Sequence, residues 1–154
     1  MTRSQLITLA AFGSAALLLG AFAFQHLGGL APCAMCIWQR YPHAVAVICA
    51  GLALLLGGRI FLMLGGLAVV ATGGIGVYHT GVERGWWEGP STCTSGPVGD
   101  LSTDELMDQI MAAPLVRCDE VPWELLSLSM ASWNTLLSLG LLALWLLALR
   151  APAR

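Results

Sequence analysis

Five cysteines stand in this chain, and Cys33, Cys36, Cys93 and Cys118 are the ones whose placement suggests chemistry. Cys33 and Cys36 are three residues apart, directly after Pro32, and the run continues Cys36-Ile-Trp-Gln-Arg40. A helix starting at Pro32, a good first-turn residue, puts both sulfurs on roughly one face. It also puts them near the positive end of the helix dipole, which favours thiolate over thiol. Arg40 lies one turn beyond Cys36 on the same face. A pair of this kind closes a short disulfide, holds a metal, or packs. A CxxC bridge closes a trivial loop and adds little stability, so its usual value is redox chemistry or metal binding. A c-type haem needs His after the second cysteine, where Ile37 stands.

Cys93 and Cys118 form a looser pair. A bridge between them would close a long loop and add on the order of 3 kcal/mol as an ordinary stabilising disulfide. Alternatively, all four cysteines converge, as a zinc site or for thiol–disulfide exchange between the pairs. Two CxxC pairs would have been the stronger zinc pattern. Cys49 lies alone in an apolar run, where packing is the expected role.

The elements that must position these residues are membrane spans. Apolar residues make up 57% of the 154 positions and charged ones only 10%, against about a quarter in ordinary soluble domains. Four stretches, about 4–24, 41–56, 60–78 and 131–149, are long and apolar enough, or nearly so, to cross a bilayer; 41–56 is the shortest. The expected fold is an all-α membrane protein, residues 1–154 as one membrane domain. It is a four-transmembrane-helix bundle with one long loop, about 80–130, carrying a short amphipathic helix. Arg3 and the apolar core up to Ala21-Phe22-Ala23 have a signal peptide's pattern. The core is longer than usual for one, and a retained span is expected.

Arg3, Arg59, Arg150 and Arg154 flank spans on one side, which the positive-inside tendency assigns to the cytoplasm. All nine acidic residues lie between Glu83 and Glu124, offset there only by Arg84 and Arg117. Both termini are therefore expected inside, with the long loop and the 25–40 connection outside, where an oxidising compartment permits disulfides. Arg40 is the one exception to the charge bias. No nucleic-acid partner is expected, and lipid surrounds the spans.

Along the chain, Gly13, Ser14 and Gly20 suit close helix contact in the first span. Pro42 is expected to kink or restart the second helix. Gly57-Gly58-Arg59 makes a short inner turn, and the third span is expected to end at Tyr78-His79. In the long loop, Gly89-Pro90 and Gly96-Pro97 bracket Cys93 with turns. Ser102-Thr-Asp-Glu105 has capping-box spacing, and Pro114 ends the helix that follows by about Ala113. Leu106, Met107, Ile110 and Met111 form its apolar stripe, and its acidic polar face favours docking on protein over lipid.

Phe24-Gln25-His26, Pro32-Cys33-x-x-Cys36-x-x-Gln39-Arg40, Tyr78-His79, Cys93, Cys118 and Ser129-Met130-Ala131-Ser132-Trp133-Asn134 together resemble the disulfide bond formation protein B (DsbB) family. The resemblance spans nearly the whole chain, with order and topology intact. It implies an inner-membrane, quinone-dependent thiol:disulfide oxidoreductase that reoxidises a periplasmic, thioredoxin-fold DsbA-like thiol oxidase. It also implies the residue roles. Cys93–Cys118 is the outward disulfide, with Cys93 forming the mixed disulfide with the partner. Cys118 attacks Cys33, and Cys36 is released facing a quinone of ubiquinone or menaquinone type. Arg40 and His79 are the implied quinone-binding residues, and no metal is expected.

Plainer roles stand beside these. Arg40 at an outer helix end often snorkels to the interface, and a Tyr-His pair at a span end often anchors there. Gln25 and His26 either support the first cysteine loop or pack, with packing expected; His43 is expected to be structural, and Gly73, Gly74 and Gly76 to serve helix packing. Trp86, Trp87 and Trp123 are expected as interface anchors, and Arg117, beside Cys118, as a charge able to lower its pKa. A membrane scaffold with two structural disulfides and a four-cysteine metal protein are the rival classes.

Overall fold

The computed structural model describes residues 1–94, 102–112 and 116–152. Four helices are long and apolar enough to span a membrane: α1 (Arg3–His26), α2 (Ala34–Leu56), α3 (Arg59–Glu83) and α5 (Met130–Arg150). Between α3 and α5 lie a short helix, α4 (Thr103–Ala112), and a small hairpin of β1 (Glu124–Leu125) and β2 (Leu128–Ser129). The hairpin is an addition to the all-helical expectation. Leu126 and Ser127 make its two-residue turn with positive φ, the conformation that matches strand twist.

Local sequence explains the helix ends. Thr2 and Gln5 form a reciprocal capping box at the start of α1. Gly57 and Gly58 reverse the chain between α2 and α3 at φ 71° and 89°, values that L side chains rarely adopt. Ser129 caps α5 by accepting from Ser132 N. Ser102 and Glu105 cap α4 reciprocally, as the spacing predicts, and the Ser102 bonds hold the exposed Glu105 carboxyl below its usual range. Cys93 N–H donates to Pro90 O at 3.0 Å in the turn expected after Gly89. The turn at Gly96-Pro97, the stop at Pro114, and Arg154 lie outside the described residues.

Three expectations need correction. Helix α2 starts at Ala34, with Cys33 as N-cap, so Pro32 precedes the cap instead of opening the helix. The Cys33 sulfur takes the Cys36 N–H, the job a Ser or Asp oxygen does elsewhere. Helix α2 also does not restart at Pro42; it runs through as one element. Pro42 leaves Trp38 O without its helical donor, and beside that gap Thr72 Oγ1 of α3 donates to Gln39 O at 3.0 Å, tying the two helices together. Helix α3 continues past Tyr78-His79 to Glu83. Trp87 folds back onto that extra turn, stacking on Tyr78 and donating from Nε1 to Tyr78 O at 2.8 Å.

The four long helices close a ring in which α1 and α3 each pack on α2 and α5. Trp145, fully buried, lies across Gly65 and Gly66 of α3; a Cβ on Gly65 would overlap the indole. Cys49 is buried in this same core. The outward faces are apolar, with Phe12, Leu19, Leu55 and Leu67 each at least 65% exposed, as lipid-facing surfaces require. Arg3, Arg59 and Arg150 sit at one end of the bundle, and the start of α2, the end of α3 and the hairpin at the other.

Candidate redox site

Cys93 and Cys118 are bonded to each other, while Cys33 and Cys36 are free thiols. The bridge rules out a four-cysteine metal site in this state. It is fully buried, and it belongs to one apolar cluster with Cys33, Met35 and Val82. The two pairs are therefore gathered at one end of the bundle, with Cys118 N–H donating to Cys93 O at 2.7 Å.

Cys33 Sγ donates to Cys36 Sγ at 3.0 Å. This bond, then burial, pushes the Cys33 thiol well up from its ordinary range. The helix dipole was expected to favour thiolate at both sulfurs; at Cys33 these two effects outweigh it. His79 is 2% exposed and lies with Nε2 3.6 Å from Cys33 Sγ. Gln39 Nε2 donates to Met35 O at 3.2 Å and meets His79 Nδ1 at 3.0 Å. Since the amide nitrogen only donates, His79 Nδ1 accepts and a neutral ring carries its proton on Nε2, toward Cys33. Glu83 Oε1 stands 3.8 Å from the same Nε2, and Ser129 Oγ donates to the other carboxylate oxygen. The sulfurs of Cys33 and Cys36 and a His79 nitrogen lie within 4.8 Å of one another, so the open pair has the donors to hold a soft ion.

Arg40 is anchored to α1. Its Nη1 donates to Gln25 Oε1 at 2.5 Å, its Nη2 to Ala21 O at 3.4 Å, and its guanidinium lies 5.0 Å from the Phe22 ring centre. Its Nε is buried without a partner. Beside it is a cavity of about 110 Å³, walled by Leu17, Leu18, Phe24, Pro122 and Met130, with Cys36, Gln39, Arg40, His43 and Asn134 as its polar lining. A smaller cavity of about 30 Å³ is lined by Cys33, Cys36, His79, Glu83, Arg117 and Glu120 among others. Cys36 is the cysteine that lines both. His79 therefore stands on the Cys33 side, apart from Arg40, with both ring nitrogens already engaged.

Several partners of these residues are not evident from the sequence alone. Gln25 was expected to pack and instead holds Arg40. Gln39 orients His79, and Glu83, by sequence one of the loop's acidic charges, stands against the His79 ring. The bridging spacing Cys33, Cys36, Gln39 and Arg40 on one helix was the available signal for Gln39. Arg117 points to Asp119 at 2.5 Å and Glu120 at 3.4 Å, and it holds the Asp119 carboxyl below its usual range. Trp123 packs on Phe24 with ring centres 5.0 Å apart.

A helical membrane bundle with a closed cysteine pair packed against an open one belongs to the class of membrane thiol–disulfide proteins. Residues 3–148 match the family model described as Disulfide bond formation protein DsbB. The chain belongs to this family. A Disulfide bond formation protein B of Polaromonas naphthalenivorans is 31% identical over 160 residues, covering 97% of this chain and 94% of that one. One from Azoarcus sp. is 36% identical over 146 residues, covering 86% of this chain and 85% of that one. No solved structure matches. The protein is thus a multi-pass bacterial inner-membrane thiol:disulfide oxidoreductase that generates disulfides.

Proposed function

We propose that this chain, as one membrane domain, reoxidises a periplasmic DsbA-like dithiol and passes the electrons through its two cysteine pairs to a membrane quinone. The observation that carries the reading is the shared burial of the two pairs beside an apolar cavity lined by Cys36 and by Arg40, whose Nε is buried without a partner. An apolar wall with a few buried donors suits a flat ring bearing carbonyl oxygens. When bound, a quinone of ubiquinone or menaquinone type supplies an acceptor for two electrons and two protons.

The chain's own residues do the rest. A thiolate of the partner attacks Cys93, and Cys118 leaves. Cys118 then attacks Cys33 of the closed inner pair and frees Cys36; the partner's second thiol displaces Cys93 and leaves oxidised, and Cys93 takes Cys118 back from Cys33, re-forming Cys93–Cys118 and leaving Cys33 and Cys36 reduced. Cys36, which lines both cavities, delivers the electron pair and closes again on Cys33. His79 Nε2–H faces Cys33 and stabilises charge on that sulfur when it is a leaving group or nucleophile. Arg40, held in place by Gln25 and Phe22, orients the ring. The arginines at the far end support cytoplasmic termini, with the cysteine end periplasmic.

The test is anaerobic mixing of purified protein with a reduced thioredoxin-fold dithiol and a short-chain ubiquinone. The expected result is stoichiometric loss of quinone absorbance. No loss would sink the reading. Cys36→Ser is expected to abolish quinone reduction while Cys93–Cys118 stays reducible by the partner; normal turnover in that variant would reverse the proposed order of transfer.

A further inference from the structure

His43 lines the Arg40 cavity and is 2% exposed. Its Nε2 lies 2.8 Å from Asn134 Oδ1, and its Nδ1 has no hydrogen-bond partner. A chain of donors sets its tautomer. Thr72 Oγ1 gives its one proton to Gln39 O. Asn134 Nδ2 lies 3.3 Å from Thr72 O and 3.1 Å from Thr72 Oγ1, both acceptors toward it. The Asn134 amide nitrogen therefore faces Thr72, and its carbonyl oxygen faces His43. A carbonyl only accepts, so His43 Nε2 carries a proton, and in the neutral ring Nδ1 is a bare lone pair. The buried, unpartnered atom is thus an acceptor when His43 is neutral and a donor when it is protonated.

We propose that His43 Nδ1 is a second polar contact for the quinone ring and the source of one of its two protons. The inference rests on the quinone reading. Protonated, Nδ1–H donates to a ring carbonyl; neutral, Nδ1 accepts from the hydroxyl of the hydroquinone. Joining the Cys36 thiolate to the Cys33 sulfur releases two electrons and the Cys33 proton. With the Nδ1 proton these make up the two electrons and two protons that convert a quinone to its hydroquinone. The thiolate's negative charge and the imidazolium's positive charge vanish together, and His43 regains its proton from solvent. Cys36 and Arg40 are the other ionisable groups lining the cavity. Among the described residues, α1, α3 and α5 bring none to it, and α3 faces His43 with Thr72.

The test separates binding from turnover by using Cys36→Ser protein, in which electron transfer is blocked. Affinity for a short-chain benzoquinone is expected to be roughly tenfold tighter at about pH 5.5 than at about pH 8, with the preference reversed for the hydroquinone. His43→Leu in that background is expected to abolish the pH dependence. His43→Gln, whose amide still offers Asn134 a donor, is expected to do the same and guards against a folding defect. Retained reduction of Cys93–Cys118 by the partner dithiol checks the fold of each variant. In histidine-labelled protein, the ¹⁵N signal of Nδ1 is expected to move from lone-pair to protonated character on adding the quinone. Unchanged pH dependence in both variants would overturn the role of His43 alone. Absence of quinone binding at every pH would overturn the quinone reading as well.

Discussion

At the scale of the residue, what matters is which groups stand against each sulfur. Cys33 has Cys36, His79 and, beyond the ring, Glu83 around it. His79→Ala removes the Nε2–H that faces Cys33, so the exchange step between the pairs is expected to slow about 10²-fold, the usual scale for a positioned proton-bearing group. Stopped-flow measurement of each step checks this; if the KM for quinone rises and exchange is untouched, His79 serves the ring instead. Arg117 is drawn off Cys118 by Asp119 and Glu120. Asp119→Asn frees that charge to stabilise Cys118 as it leaves, and the partner is expected to open the bridge severalfold faster, since a lower leaving-thiol pKa speeds exchange. Rates measured with a fixed reduced dithiol decide it, and an unchanged rate would count against the charge argument.

At the scale of the element, α2 bears the chemistry on one face and its flaw, Pro42, in its middle. Thr72 both supports the Gln39 carbonyl there and accepts from Asn134. Thr72→Val leaves those polar groups short of a partner in a buried setting, and a loss of about 1–3 kcal/mol is expected in detergent unfolding. The close approach of α3 to α5 depends on Gly65, over which Trp145 lies. Gly65→Ala forces the indole to shift, and a comparable loss of about 1–3 kcal/mol is expected from overpacking. An unchanged midpoint would mean the two helices separate easily.

At the scale of the whole molecule, the span-flanking arginines and the redox chemistry lie at opposite ends. Arg3, Arg59 and Arg150 cap one end; the cysteine pairs, the hairpin and most acidic residues crowd the other. Ser129 at the start of α5 donates to Glu83 at the end of α3, and Arg84 Nη2 donates to Ser127 O at 2.7 Å, so the hairpin is fastened to the redox end. If the arginines face the cytoplasm, a periplasm-dependent reporter enzyme fused within the long loop is active and one fused at either terminus is not. The opposite pattern would invert the orientation.

The sequence by itself determined the four long apolar helices, the capping box of α4, the Gly57-Gly58 turn and the two cysteine pairs, because each is written in hydropathy, spacing or a local turn requirement. It did not reveal that Gln25 holds Arg40, that His79 stands with Cys33, or that His43, Asn134 and Thr72 form one hydrogen-bonded chain. Those contacts join residues 15, 46 and 91 positions apart. In an apolar bundle, hydropathy marks every face as buried by protein or lipid alike, so it cannot tell which faces meet. Only the packing of the helices brought the buried polar side chains together, since inside a membrane protein each must find its partner on a neighbouring helix.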